Sequence, residues 1–243
     1  MRHVNYARWA AYVIGLFSQA EGRVRRVLDA ACGTGNFMIE LEGAGYEVSG
    51  FDASPDMAQQ ALGKFRARQF FFVDESQPMN GAMPKLWCGD MRNMAVSKEF
   101  DATLCLYDSM NYCPELDSIA GVLYSMSASV RPGGVMIFDV CTEHNCRTHF
   151  ANYHERDAIE HYSYTRWSYY EPQRRMQVNE FLLIDERDSA RYREVHQQRI
   201  YRIDEVKALC DTKQWQLIGC YDGFSRRTGD ENSDRVHFVL RRK

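Results

Sequence analysis

At 243 residues and 45% hydrophobic, the chain can bury one large core, with or without a lid, and length alone does not demand two independent domains. A formal net charge of -3 argues against a nucleic-acid partner, which calls for a basic surface to neutralise phosphates. No apolar run reaches the length of a bilayer span and the N-terminus lacks a signal-peptide pattern, so no membrane partner and a cytoplasmic location are expected.

The first element in chain order is a helix over Tyr6 to Phe17. Arg23, Arg25 and Arg26 after it, like Arg241, Arg242 and Lys243 at the far end, flank strands and read as solvated. The segment Arg26-Val27-Leu28-Asp29-Ala30-Ala31-Cys32-Gly33-Thr34-Gly35-Asn36-Phe37 then joins a buried strand to a helix through a glycine-bearing turn. Such a strand delivers Asp29 to the carboxyl edge of a sheet, and Gly33 and Gly35 let the backbone pass close to a ligand without a Cβ in the way. Tyr46 to Asp52 reads as a second strand. It ends in the carboxylate that hydrogen-bonds ribose hydroxyls in doubly wound folds. A dinucleotide GxGxxG is absent, because Ala31 replaces one glycine and Asn36, Phe37 and Met38 follow Gly35. No Lys-Ser/Thr pair follows the glycines, which excludes a P-loop. The expected ligand is a nucleoside cofactor without phosphates.

A helix over Ser54 to Phe65, capped by Ser54 with Pro55 at its first position, comes next. Phe70, Phe71 and Phe72 lie in a long link and read as buried packing, with a substrate or subunit contact as the other reading. Leu86 to Met91 and Phe100 to Asp108 read as strands, followed by a helix from Glu115 to Val130, a turn over Arg131 to Gly134 and a strand over Val135 to Asp139. Between Ala158 and Arg202 come Ile159 to Tyr170, Gln177 to Asp185 and Arg191 to Tyr201, rich in Tyr, Trp, Val and Ile. Short polar separators make these an antiparallel, three-stranded lid. Ile203 to Lys213 reads as a helix, with strands at Trp215 to Tyr221 and Arg235 to Leu240.

Eight cysteines without a secretory signal read as reduced thiols, with Cys88, Cys105, Cys141 and Cys220 in strands. Cys141, His144, Cys146 and His149 fall within nine positions, enough in principle for zinc. Their chelating pairs are interleaved in one short segment, so no metal is expected.

Asp29-Ala30-Ala31-Cys32-Gly33-Thr34-Gly35 resembles motif I of the class I S-adenosylmethionine (SAM) methyltransferases. The third, fourth and fifth strand segments of that family have counterparts at Leu86 to Met91, Phe100 to Asp108 and Val135 to Asp139, and the likeness covers nearly the whole chain. Tyr107 to Tyr112, Glu194 to Tyr201 and Asp234 to Lys243 look like its small-molecule branch, which includes amino-sugar N,N-dimethyltransferases and uncharacterised bacterial enzymes. The resemblance implies an α/β, Rossmann-like, doubly wound and mostly parallel sheet with an antiparallel last strand and an inserted three-stranded antiparallel lid sheet. It divides the chain into a SAM-binding core at 1–142, a lid and substrate insert at 143–202, and a completion of the core sheet at 203–243.

Residue by residue, the resemblance gives Asp29 the cofactor's methionine ammonium group and puts Ala30, Ala31, Cys32, Gly33 and Gly35 beside its amino-acid moiety. It adds Asp52, Ala53 and Met57 to the cofactor set, gives Asp90 the adenine amino group and Met91 the ring face, and sets Leu106 and Tyr107 near the methyl. Asp108, Tyr112, Trp167 and Arg199 are the expected substrate-binding residues. Family members carry a cofactor cover with a Tyr-Asp pair ahead of the first helix, whereas this sequence begins almost at that helix, and an incomplete cover is the expectation.

A sulfonium is already an excellent methyl donor, so catalysis is mostly in-line positioning and exclusion of water. The faces of Tyr107 and Tyr112 suit a cationic cofactor or amine. An imidazole is best matched to take the acceptor's proton at neutral pH. His196 is the first catalytic candidate and His144 the second; for His196 the competing reading is a cross-strand pair with Glu194 or Arg199. Trp167, Tyr169 and Tyr170 alternate along a strand, so one face alone can line a pocket. The sequence thus reads as a SAM-dependent methyltransferase acting at N or O of a small-molecule acceptor, with a homodimer through the insert sheet in view. RNA or protein methylation, or SAM binding without transfer as a sensor or partner subunit, are the alternatives.

Overall fold

The computed structural model describes residues 4–66, 86–93 and 100–243. The link holding Phe70, Phe71 and Phe72 lies outside these residues. In chain order the core begins with α1 (Tyr6–Leu16), β1 (Arg26–Ala30), α2 (Asn36–Gly43), β2 (Glu47–Asp52), α3 (Pro55–Arg66), β3 (Leu86–Cys88), β4 (Phe100–Cys105), α4 (Leu116–Ser127) and β5 (Val130–Cys141). After α5 (Glu143–His149) come β6 (Asn152–Ile159), β7 (Tyr162–Glu171), β8 (Met176–Asp185) and β9 (Arg191–Arg199). The chain then returns through α6 (Ile203–Cys210), β10 (Trp215–Asp222) and β11 (Arg235–Arg242).

Seven strands form one sheet in the order β10-β11-β5-β4-β1-β2-β3. β1 to β5 pair in parallel, and β11 pairs antiparallel with both β5 and β10. The doubly wound, mostly parallel sheet with an antiparallel last strand is therefore the fold. Its central strands are apolar on both faces, as helix-covered parallel strands must be. Along β5, Met136, Phe138 and Val140 pack with α4 and α6, while Val135 and Ile137 pack with α1, α2 and α3. The period of two thus splits one strand between two layers.

The cap of α3 is as expected, with the Met57 N–H donating to Ser54 Oγ at 3.3 Å. The helix expected to reach Val130 instead stops at Ser127, and β5 takes in Arg131 to Gly134, which read as a turn. Gly133 has φ +75°, and the β4–β5 register shifts between Phe100 and Ala102. A Cβ on Gly134 would lie 2.8 Å from the Asp101 carbonyl oxygen, so these glycines build a close-packed strand irregularity rather than a turn.

The lid is a separate antiparallel sheet in the order β6-β7-β8-β9, one strand more than the sequence suggested. β6 is an edge strand whose Asn152, His154, Arg156 and Asp157 are exposed. A polar edge of this kind carries no apolar run to betray it. The lid is tied to the core by a buried side chain: Asn111 Nδ2 donates to the Arg199 carbonyl at 2.8 Å, and its Oδ1 accepts the Cys141 N–H at 2.9 Å. The Tyr201 hydroxyl donates to the Cys113 carbonyl at 2.5 Å. These bonds fix β9 over the end of β4.

Candidate active site

The parallel strands deliver Asp29, Asp52, Tyr107 and Asp139 to one carboxyl edge, where ligands of doubly wound sheets bind. Beyond β1 the backbone turns through left-handed Ala31 (φ 57°), Gly33 (φ 56°) and Gly35 (φ 73°). The Cys32 N–H donates to the Phe51 carbonyl at 2.9 Å and the Gly33 N–H to Asp52 Oδ2 at 2.8 Å. The two glycines have different reasons. A Cβ on Gly33 meets nothing within 4 Å, whereas one on Gly35 would sit 3.0 Å from Phe65 Cε2 and 3.1 Å from Ala61 Cβ. Gly33 leaves space on the ligand side; Gly35, expected to do the same, makes room for α3 instead.

Asp29 is the unusual carboxylate here. It is buried, no described residue donates a hydrogen bond to it, and burial together with Asp52 pushes it up to about 8. An uncompensated buried carboxylate at a loop with open space is a receptor for a cationic group, and the SAM ammonium fits it. Asp52 accepts from the Ser54 N–H at 2.9 Å through Oδ1 as well as from Gly33. Each oxygen retains a lone pair for a ribose hydroxyl. Ala53, just past the end of β2, and Met57, in the first turn of α3, are both exposed. Asp90 is gripped by Arg92, with Nη2–Oδ2 at 2.6 Å, and this pairing holds its carboxyl below the usual range. Met91 Sδ lies 3.7 Å from Cys105 Sγ, against the core.

Past β4 two non-glycine residues in succession, Tyr107 and Asp108, are left-handed at φ 60°. Strain of this kind persists where the surroundings over-determine it. The Tyr107 ring stacks on Trp9 of α1 at 4.1 Å between centroids and lies 5.6 Å from Tyr6, while its buried hydroxyl has no partner among the described residues. Burial raises that phenol far above its ordinary range. Leu106 is buried in the same layer as α1.

Asp108 belongs to a partly buried triad. Arg235 Nη1 lies 2.5 Å from Asp108 Oδ1 and also bonds Asp139 Oδ2, and the guanidinium stands 5.1 Å over Trp9. The Asp108 carboxyl is pushed up to about 6, by burial first and against the pull of Arg235, with Asp139 adding to the rise. Next to Arg235 on the same strand, burial and then the Arg235 charge hold His237 down at about 3, a neutral spacer under α1.

The lid face toward this edge is set by register. His196 Nδ1 is 3.0 Å from the Tyr112 hydroxyl, its Nε2 is 3.5 Å from Glu194, and Gln198 Nε2 donates to the Asp108 carbonyl at 3.4 Å. His196 stands opposite Asn179 and then Ser168, so that row faces the core. Trp167 pairs across with Glu180 and Val195, which puts it on the outer face at 41% exposure. Arg199 lies on that outer face too, with Nη1 donating to the Arg174 carbonyl. Neither expected substrate contact is therefore on the core-facing side; Arg166 occupies the row that Trp167 was expected to fill. His144 does not join His196 either, since it and His149 are half-exposed beside Asp234, at 3.9 and 3.3 Å. Cys141 and Cys146 sit sulfur to sulfur at 3.8 Å, and among the described residues no three ligating side chains converge.

Trp9, Tyr6, Asp139 and Arg235 escaped the sequence reading. Asp139 had a signal, an acid closing the fifth strand. Arg235 acquires its meaning only through the antiparallel β11–β5 pairing.

The fold is that of the Rossmann-like SAM-dependent methyltransferases. Residues 27–134 match the family model described as a methyltransferase domain. YqeM of Bacillus subtilis, itself named a methyltransferase only provisionally, is 26% identical over 98% of this chain and 91% of its own length. The dTDP-3-amino-3,6-dideoxy-alpha-D-glucopyranose N,N-dimethyltransferase of Streptomyces fradiae is 27% identical over 56% of this chain and 47% of its own. A SAM-dependent methyltransferase from Clostridium acetobutylicum superposes with TM-score 0.80 at 22% identity, covering 99% of this chain and 93% of that one. SAM-bound CalS10, an amino pentose methyltransferase, gives 0.72 at 21% identity over 100% and 93%.

Proposed function

We propose that the enzyme methylates an amine nitrogen of a small-molecule acceptor held between lid and core. The observation carrying this reading is the Tyr112–His196 contact across the seam, near enough to Asp108 for that carboxylate's charge to act on the Tyr112 phenol. Relatives named for amino-sugar N,N-dimethylation support nitrogen over oxygen. Bound SAM supplies a methyl group activated by the sulfonium; the chain's own task is to hold, orient and keep out water. Asp29 takes the ammonium group, Asp52 the ribose, and Asp90 and Met91 the adenine. Tyr107, stacked on Trp9, walls the site. Asp108, with a fifth of its side chain accessible, accepts an N–H bond from the acceptor and orients its lone pair. His196, steadied by Tyr112, receives the proton the nitrogen gives up.

SAM and S-adenosylhomocysteine titrated by calorimetry, followed by a screen of amines for S-adenosylhomocysteine release from SAM, test the reading. His196→Gln is expected to lower kcat by about 10²-fold or more while leaving S-adenosylhomocysteine affinity intact. An unchanged kcat would leave His196 as a cross-strand partner of Glu194. The eight cysteines, all free thiols, suit the reducing cytoplasm to which we assign the enzyme. The outer lid face, where Trp167 is 41% and Val195 45% exposed, is the surface we assign to a second copy. Light scattering should then give a dimer mass that Val195→Glu lowers to the monomer.

A further inference from the structure

Among the described residues four of the lid's eight arginines pair with carboxylates; of the other four, Arg156, Arg191 and Arg199 lie in outer-face rows and Arg166 alone lies in the core-facing one. Arg174, Arg175, Arg187 and Arg193 each meet a carboxylate, at 2.8, 3.0, 2.5 and 2.7 Å. Arg166, on the core-facing row of β7, meets none among the described residues. Its guanidinium is hemmed by three rings, 5.1 Å from the Phe150 centroid, 5.4 Å from Tyr153 and 5.5 Å from Phe181. Its orientation is nevertheless fixed. Nε donates to Ser168 Oγ at 2.9 Å and Nη2 to Asn179 Oδ1 at 2.8 Å, and these two buried side chains bond each other at 2.7 Å. Nη1 has no acceptor among the described residues.

A guanidinium partly withdrawn from water among aromatic rings costs free energy unless a counter-charge arrives. Its cross-strand neighbour Glu155 is engaged by the Tyr164 hydroxyl at 3.1 Å, and the groups that hydrogen-bond Arg166 are two buried neutral side chains, the support expected of a binding group rather than of a structural ion pair. Phe181, one of its three rings, makes an edge contact with His196 at 5.6 Å. The Arg166 charge also reaches the Tyr112 hydroxyl, where it opposes the rise caused mainly by burial. Arg166 therefore looks into the seam where His196 and Tyr112 meet.

We propose that Arg166 is the anchor for an anionic group, phosphate or carboxylate, carried by the methyl acceptor. The proposal rests on the reading of the lid–core seam as the acceptor site. Its planar fork of donors matches either oxyanion. The acceptor is then bipolar: an amine at Asp108 and an anion at Arg166, with the lid row between them setting the distance.

The test is calorimetric, on the full chain saturated with S-adenosylhomocysteine and at constant ionic strength. Sodium pyrophosphate and sodium acetate are titrated separately into the wild type, Arg166→Gln, Arg166→Lys and the outer-face control Arg199→Gln. Wild type and Arg199→Gln are expected to bind one anion at a single site, with Arg166→Gln weaker by about tenfold or more and Arg166→Lys intermediate. Preference for pyrophosphate identifies a phosphorylated acceptor, and preference for acetate a carboxylate. Equal affinity in wild type and Arg166→Gln, or no anion binding by a wild type that does hold S-adenosylhomocysteine, overturns the anchor alone. A wild type that fails to hold S-adenosylhomocysteine overturns the cofactor reading and the anchor with it.

Discussion

Asp29→Asn is expected to stabilise the ligand-free protein above about pH 8 and, at the same time, to weaken SAM binding by about two orders of magnitude. Both effects follow from one buried carboxylate raised from 3.8 to about 8, by burial first and then by Asp52. A carboxyl raised on folding holds its proton more tightly in the native state than in the unfolded chain. Stability is therefore lost progressively as pH rises from the ordinary value toward about 8, and stays lost above it. Asparagine removes that penalty, which amounts to several kcal/mol as an upper bound. Melting temperatures of variant and wild type should coincide near pH 4 and diverge in favour of the variant as pH rises.

The same proton reports on the cofactor. At neutral pH the empty wild type carries a largely protonated Asp29, and an arriving ammonium group favours the ionised form. Binding should then release up to one proton, read as a dependence of the calorimetric enthalpy on the buffer's own ionisation enthalpy. Asp29→Asn should abolish that dependence along with the charge-paired part of the affinity, about 2 to 5 kcal/mol for a buried pair. A wild type whose binding enthalpy ignores the buffer would remove Asp29 from the role of ammonium receptor.

Asp29, Gly33 and Asp52 were legible in the sequence because each sits at a strand end or a turn whose local chemistry is its own explanation. The parallel sheet was legible for a related reason: strands buried on both faces read as apolar runs, and β4 is buried at all six positions. What the sequence hid depends on partners far along the chain. Trp167 and Arg166 are adjacent, both bulky, and the choice of which one faces the core is a matter of one residue of register. That register is set by the pairing with Phe181 and Glu180, and ultimately by Asn111 and Gln198 fastening β9 to the core. Gly35 reads like Gly33 until α3 is seen against it. Trp9 lies in a helix whose pattern reveals an apolar face but not that Tyr107 and Arg235 wait on the other side. The sheet edge that carries Asp29 and Asp52 is thus written locally, and the seam above it is written in the docking of lid on core.

Arg235→Met tests that second half most severely, with an expected loss of about 3 to 5 kcal/mol at neutral pH. The arginine is shared by Asp108 and Asp139, the latter fully buried with Oδ1 unpartnered. Without it two carboxylates face each other, and Asp139 is fully closed off from water. The sign of the pH dependence follows from the direction of the shifts. Asp108 already stands at about 6, held there by burial and Asp139 against the opposing pull of Arg235. Loss of the guanidinium removes the one pull that lowers Asp108 and raises that acid further, and a raised carboxyl costs stability as pH increases. The variant's deficit should therefore be largest near neutrality and shrink on acidification below about pH 6, as protonation removes the stranded charge. Urea unfolding of both proteins at neutral and mildly acidic pH gives the comparison. Methionine keeps most of the contact with Trp9, so lost packing contributes little to the difference. Adding Asp108→Asn to the variant should restore part of the loss at neutral pH and almost none in acid, because it removes one of the two opposed charges. A deficit of equal size at both pH values would mean that Arg235 acts through packing against Trp9, and the seam would then lack the electrostatic frame on which Asp108 depends to orient an amine.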